Sequence, residues 1–240
     1  MTRLFVSDLH LSEQLPHITE GFFRFLKDRA QRTEALYILG DFFDAWIGDD
    51  DDSELTRAVA REVSNVAQSG TRVYLMHGNR DFLMGDEYAR ACGAELLPDP
   101  SVINLYGHPT LLMHGDSLCT RDQAYMEFRR QVRSPQWQAE VLSLPLTKRR
   151  ELAAQLRSQS ESMNSNKAED IMDVTPEEVV KTMTQENVGL LIHGHTHRPA
   201  RHPFTLDGQD AERIVLGDWH RLGWCLVAEP EGLRLESWDL

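Results

Sequence analysis

The chain has little sulphur, little positive charge and no long apolar run, and each shortage removes a class of protein. Its three cysteines, Cys92, Cys119 and Cys225, are odd in number and form no Cys-x-x-Cys pair. Neither a disulfide framework nor a thiolate zinc site is expected, and the thiols read as reduced fillers in or near the core of an intracellular protein. No stretch of about 18 apolar residues and no basic-then-apolar leader is present, which predicts neither a membrane span nor export and places the chain in the cytoplasm. Lys and Arg number 25 against 38 Asp and Glu, a formal net charge of −13. So poor a positive surface argues against nucleic acid as a partner, since affinity for phosphate backbones comes chiefly from basic surface. Pro/Gly-rich linkers and internal repeats are also missing, so 240 residues of 41% apolar content are read as one domain, 1–240, with a single large core.

What the sequence does have is a set of five short motifs in order: Asp8-Leu9-His10, Gly40-Asp41-Phe42-Phe43-Asp44, Gly78-Asn79-Arg80-Asp81, His114-Gly115-Asp116 and Gly194-His195-Thr196-His197. Each follows a strand-like apolar run: Leu4–Val6, Leu36–Leu39, Val73–Met76, Leu111–Met113 and Leu190–Ile192. The motifs are therefore expected at strand ends, where open sheets build their sites. Singly, each could be a turn-closing Asp or Asn. Five in order, each after a strand, read as a two-metal hydrolase site, because two divalent ions about 3.5–4 Å apart supply both a nucleophile at neutral pH and charge to offset phosphate oxygens. Asp41 is the natural bridge, its carboxylate having two oxygens, and Asp8, His10, Asn79, His114, His195 and His197 complete the two shells. The mixture of hard oxygen and borderline nitrogen suits Mn²⁺, Fe²⁺ or Zn²⁺ better than Ca²⁺.

Helical periods lie between the strands: Phe22, Phe23 and Leu26 after Thr19, then Leu55, Val59, Val63, Val66 and Ala67. Thr175-Pro176-Glu177-Glu178 reads as a capping box opening a helix toward Asn187. Arg213–Leu216, Trp224–Val227 and Leu233–Leu235 read as short strands. The class is α/β. The stretch 121–170 breaks the rhythm with helix periodicity and no ligand-bearing strand, and reads as a helical cap insertion. Within 121–157, eight Lys/Arg stand against four Asp/Glu, a net +4, interleaved with Trp137, Leu142, Leu144, Leu152 and Leu156. That pattern suits an anionic membrane surface or a lipid; the alternative is a pair of helices that pack on each other with solvated charges. Leu152, Leu156, Ser160, Asn164 and Lys167 form one helical stripe whose polar end could meet a sugar and a phosphate. Asp41, Asp44 and the run Asp49–Asp52 gather acid near the metals, with Asp51 and Asp52 read as solvated loop. His77 and His193, just before motif glycines, are candidate supports of the ligands, and Trp46 and Trp219 are read as packing.

The motif order resembles the calcineurin-like metallophosphoesterases over most of the chain. That resemblance implies an α/β/β/α sandwich, a first ion on Asp8, His10 and His197, a second on Asn79, His114 and His195, and Asp41 between them. Most of that family carries His where this chain has Arg80. A guanidinium cannot donate a proton near pH 7, but it clamps phosphate and stabilises charge on a departing oxygen, which fits the phosphate end of a pyrophosphate. The alternative for Arg80 is an ion pair with Asp81 or Asp44. Arg80 and Gly40–Asp50 are similar to the branch of the family that hydrolyses UDP-2,3-diacylglucosamine in lipid A biosynthesis of Gram-negative bacteria. The similarity implies water attack on the α-phosphate, giving UMP and 2,3-diacylglucosamine 1-phosphate. It also implies two Mn²⁺ ions per chain, a peripheral position on the cytoplasmic face of the inner membrane and no obligatory protein partner. By the same resemblance Asn79, Arg80 and His195 act in catalysis and, with Asp122, Ser160, Asn164 and Lys167, contact substrate; for Asp122 the alternative is a helix N-terminal charge. Two other readings stay open: a phosphodiesterase acting on nucleotides, and a non-catalytic module with a degenerate metal site.

Overall fold

Neighbouring residues of the apolar runs belong to different cores, and that alternation sets the layering. The computed structural model describes residues 1–164 and 173–240, and side chains outside 160–172. In β1 (Arg3–Val6), Leu4 and Val6 face one core while Phe5 faces another. In β2 (Ala35–Leu39), Leu36 and Ile38 separate from Tyr37 and Leu39 in the same way. With a period of two, a run apolar on both faces must be covered on both. β3 (Arg72–Met76), β4 (Ala94–Leu97), β10 (Leu222–Glu229) and β11 (Gly232–Asp239) complete a six-stranded sheet in the order β11-β10-β1-β2-β3-β4. A second sheet runs β5-β6-β7-β9-β8, from β5 (Ser101–Leu105), β6 (His108–Leu112), β7 (Leu190–His193), β8 (Ala200–Leu206) and β9 (Gln209–Val215).

Phe5, Leu39, Leu112, Ile192, Ile214 and Leu226 fill the space between the sheets. The first sheet is covered outside by α1 (Pro16–Phe25), α2 (Glu54–Gln68) and α3 (Asp86–Ala91), through Phe22, Val59, Val63 and Tyr88. The second is covered by the later helix α7 (Pro176–Gln185), through Val179 and Met183 against Leu111 and Leu191. The result is the expected α/β/β/α sandwich. Full burial of each such side chain contributes roughly 1.5–3 kcal/mol.

Between β6 and α7 stand the cap helices α4 (Gln123–Val132), α5 (Pro135–Leu142) and α6 (Leu146–Asn164). The chain enters and leaves the cap through a narrow neck: Thr175 N donates to Leu118 O at 2.8 Å, and the Thr120 hydroxyl donates to that of Thr175 at 2.9 Å. This corrects the capping box. Proline opens α7 as expected, but the Thr175 hydroxyl makes no cap bond because it is bound to Thr120 at the neck. Thr19 likewise lies inside α1, which starts at Pro16.

Candidate metal centre and cavity

All five motifs sit in the loops that leave β1, β2, β3, β6 and β7, and the chain is bent to aim them. Asp8, His10, Asp41, His195 and His197 have φ of 54°, 49°, 49°, 68° and 55°, so five of the seven candidate ligands occupy left-handed backbone that L-residues avoid. Non-glycine residues persist there only where the surroundings over-determine the conformation, as they do at functional sites. The loops are also pressed together. A Cβ on Gly78 would lie 2.1 Å from Asp41 Oδ1, and one on Gly194 would lie 2.2 Å from Asp8 Oδ2, so only glycine allows these approaches.

The candidate ligands fall into two sets. His10 Nε2 lies 3.3 Å from His197 Nε2, which lies 3.5 Å from Asp8 Oδ1. Asn79 Oδ1 lies 2.9 Å from His114 Nε2 and 2.8 Å from His195 Nδ1. Asp41 reaches toward both, with Oδ1 3.7 Å from His114 Nε2 and Oδ2 3.9 Å from His10 Nδ1. Donors at right angles about 2.1 Å from one ion stand roughly 3 Å apart, so these spacings fit adjacent positions in a coordination shell. The cluster also holds an unpaired polar atom: His10 Nδ1, on the Asp41 side of a ring whose Nε2 faces His197, is buried with no hydrogen-bond partner among the described residues. His114 Nδ1 donates to the Leu39 carbonyl at 2.9 Å, which fixes the ring and leaves Nε2 facing the site.

Charge follows the same plan. Burial opposes ionisation of Asp8, yet the His197 hydrogen bond and the nearby imidazoles hold its carboxylate well below the usual range. Burial, with Asp81 and Asp8 beside it, pushes Asp41 up to about 7. Burial and His114 pull His195 down to about 4, keeping it neutral. His114 is the opposite case: burial lowers it, but Asp41, Asp8 and Asp116 outweigh that and raise it to about 9. At pH 7 the metal-free site therefore holds a proton on His114 that a metal must displace. Mn²⁺ affinity is expected to rise with pH up to about 9 and to fall as pH drops, with roughly one proton released when the set that contains His114 is filled. Calorimetric titrations in buffers of different ionisation heat read that proton directly; affinity independent of pH would contradict it.

Several residues missed in the sequence hold this geometry. Buried Asp81 accepts from Gly78 N at 2.6 Å and Phe42 N at 2.7 Å, stapling the second and third motifs, so it is not the partner of Arg80. Arg80 pairs with Asp44 at 2.9 Å, and its Nε lies 3.5 Å from Asp41 Oδ2, so the guanidinium stands at the edge of the ligand cluster. Asp116 takes Tyr125 and Arg129 of α4 at 2.7 and 2.8 Å, while Arg133, the residue just after α4, donates to Gly78 O at 2.8 Å. Tyr125 also stacks on His195, with ring centroids 6.0 Å apart.

Asp49 does not face the metals. It accepts from Gly85 N and Tyr88 N at the start of α3, and from Trp46 Nε1. Asp50 clasps buried Arg149 while staying exposed itself, and Asp51 pairs with Arg150 rather than lying free, so this acid fastens the cap; Asp52 is solvated, as expected, against Arg57 at 3.7 Å. His77 bonds the Met84 carbonyl and His193 the Gly194 carbonyl, so each braces a loop and not a ligand atom. Trp219 packs edge-on to Phe22 and Phe25.

A cavity of about 420 Å³ opens from the cluster of candidate ligands under the cap. Asp41, Asn79, Arg80 and His195 line it at the candidate ligands; Trp46, Phe82, Phe128, Trp137, Leu152 and Leu156 supply apolar wall, with cap arginines such as Arg149 and Arg157 among them. Asp122 lines it too while accepting from Tyr125 N at 3.0 Å, so its helix-capping alternative holds alongside a place on the cavity wall. Leu152 and Leu156 are the described end of the predicted stripe. The side chains of Ser160, Asn164 and Lys167 lie outside the described residues.

Residues 1–199 match the calcineurin-like phosphoesterase family. A UDP-2,3-diacylglucosamine hydrolase of Cellvibrio japonicus (strain Ueda107) is 60% identical over 240 residues, covering 100% of both chains. One of the same name from Pseudomonas aeruginosa (strain UCBPP-PA14) is 58% identical over 240 residues, and one from Azotobacter vinelandii (strain DJ / ATCC BAA-1303) is 55% identical over 240 residues, each again covering 100% of both chains.

Proposed function

As the chain belongs to the calcineurin-like phosphoesterases, we propose that it hydrolyses the pyrophosphate bond of UDP-2,3-diacylglucosamine in lipid A biosynthesis, with UMP and 2,3-diacylglucosamine 1-phosphate as products. The observation that carries this reading is the two-sided cavity. A cluster of Asp, His and Asn opens directly into a chamber of Trp, Phe and Leu, which matches a substrate with a diphosphate at one end and acyl chains at the other. Acyl chains use the aliphatic wall of such a chamber in a way a nucleotide alone does not, and this, with the full-length relatives, sets the nucleotide phosphodiesterase reading aside.

Asp8, His10 and His197 would hold one divalent ion, Asn79, His114 and His195 the other, and Asp41 would lie between; we assign both as Mn²⁺. Bound there, the pair supplies an activated water and neutralises phosphate charge. The chain's own groups do the rest. Arg80, held by Asp44, neutralises charge that builds on the departing phosphate, which leaves without needing a proton. Asn79 and His195 fix the α-phosphate at the ligand cluster, and Asp122, Ser160, Asn164 and Lys167 contact the sugar and its phosphate. The apolar chamber takes up acyl chain and excludes water.

Membrane association is part of the proposal. Phe128, Leu142 and Leu144 are exposed on the basic cap, and among the described residues no helix is long and apolar enough to cross a bilayer. A peripheral position at the cytoplasmic face of the inner membrane, where such a lipid is held, suits that surface.

The test is incubation with UDP-2,3-diacylglucosamine and Mn²⁺ in ¹⁸O-labelled water, followed by mass spectrometry. Label in UMP is expected. Label in the lipid phosphate would move the attack to the other phosphorus, and no cleavage beside activity on simple phosphodiesters would sink the lipid assignment.

A further inference from the structure

We infer that Arg213 is a positioning residue for the metal centre, acting through His193 on the turn that carries His195. The inference rests on the metal reading above.

Arg213 on β9 pairs in register with Leu191 on β7, and His193 stands two residues further along β7, so Arg213 and His193 share one face of the second sheet. That is the outer face, where Leu191 packs under α7. Arg213 Nη1 lies 3.2 Å from His193 Nε2. A guanidinium only donates, so Nε2 must accept, and the ring proton is left on Nδ1. Nδ1 then donates to the Gly194 carbonyl at 2.8 Å. Arg213 thus selects the imidazole tautomer; the other one would set the Nδ1 lone pair against a carbonyl oxygen.

The Gly194 carbonyl has a second task. It accepts Thr196 N at 2.8 Å, closing a bond across His195, whose φ is 68°. A tight turn with a positive-φ central residue is the rare, strained form. The imidazole proton is a second donor to the oxygen that closes it. Gly194 N is anchored at the same time to the His114 carbonyl at 2.8 Å. His193 is fully buried against the His114 loop, where a Cβ on Gly115 would come within 2.7 Å of Nδ1. One imidazole therefore braces the loops of His195 and His114 together, and Arg213 decides which of its nitrogens carries the proton.

Co²⁺ titration followed by visible absorption, on the full chain, tests this without relying on turnover. Arg213→Met, which keeps the stem and removes the donors, is expected to weaken Co²⁺ binding about 10–100-fold, the usual cost of losing a group that orients a ligand. Arg213→Lys keeps a donor and is expected to recover most of that loss, and His193→Gln, with Arg213 in place, supplies one acceptor and one donor and is expected to bind Co²⁺ close to the wild-type protein. Wild-type Co²⁺ affinity in Arg213→Met would overturn the inference, as would equal losses in Arg213→Met and Arg213→Lys, which would reduce the side chain to packing. Failure of the wild-type protein to bind Co²⁺ would instead remove the metal reading, and this inference with it.

Discussion

Asp41→Asn is expected to yield a folded protein that binds divalent ions poorly and turns over at least about a thousandfold more slowly, the equivalent of roughly 4 kcal/mol of transition-state stabilisation. The carboxylate is 2% exposed and presents one oxygen toward each set of candidate ligands. An amide retains an oxygen to accept the Arg80 backbone N–H, made at 2.9 Å, but brings no charge and only one ligating oxygen. The fold should tolerate the change, because burial already lifts the Asp41 carboxyl to about 7 and so keeps much of it neutral in the metal-free protein at that pH. Metal content by elemental analysis, beside turnover and thermal unfolding of the metal-free form, reads each part. Wild-type metal content with wild-type turnover would remove Asp41 from the centre.

Arg80→Ala is expected to lower kcat by about 10²–10³ while leaving metal content intact, the cost typical of deleting one preorganised group that faces developing charge. The separation follows from geometry. The backbone N–H of residue 80 holds Asp41 Oδ1 at 2.9 Å and survives truncation, which removes only the longer Nε contact to Oδ2 at 3.5 Å; Arg157, 3.1 Å from Asp44, still pairs with the carboxylate that Arg80 leaves. Arg80→Lys should recover only part of the loss, since an ammonium lacks the planar fork that meets two phosphate oxygens. Metal loss on truncation would show that the guanidinium supports the ligands rather than the substrate.

What could be read in advance were features whose chemistry is local. A ligand must be Asp, Asn or His and must follow a strand, so the five motifs announce both the site and the strands β1, β2, β3, β6 and β7. β4, β5 and β8 escaped because they are short or half-exposed, as in the alternating burial of Ser101–Leu105, and carry no ligand. The roles of Asp81, Asp116, Tyr125 and Arg213 were hidden for a different reason. Each acts on backbone or side chains far along the sequence: Asp81 on Phe42, Arg213 on His193. Asp81 and Asp116 lie within the motifs, yet nothing in any of these neighbourhoods tells which distant group each residue meets. The acidic run Asp49–Asp52 misled because charge count does not tell which way a carboxylate points. Asp49 faces the start of α3, and Asp50 and Asp51 face arginines of the cap.

The neck at Leu118, Thr120 and Thr175 makes the cap an exchangeable part. Its two ends are joined before the insert begins, so cap residues that make no bond to the loops beneath, unlike Tyr125, Arg129, Arg133 and Arg149, can be replaced without reopening either sheet. For inhibitor design the consequence is practical. A compound that fills only the apolar chamber meets a wall that can change at little cost to chemistry, whereas one that also engages the ligand cluster meets residues whose replacement disables the enzyme, and so leaves resistance fewer routes.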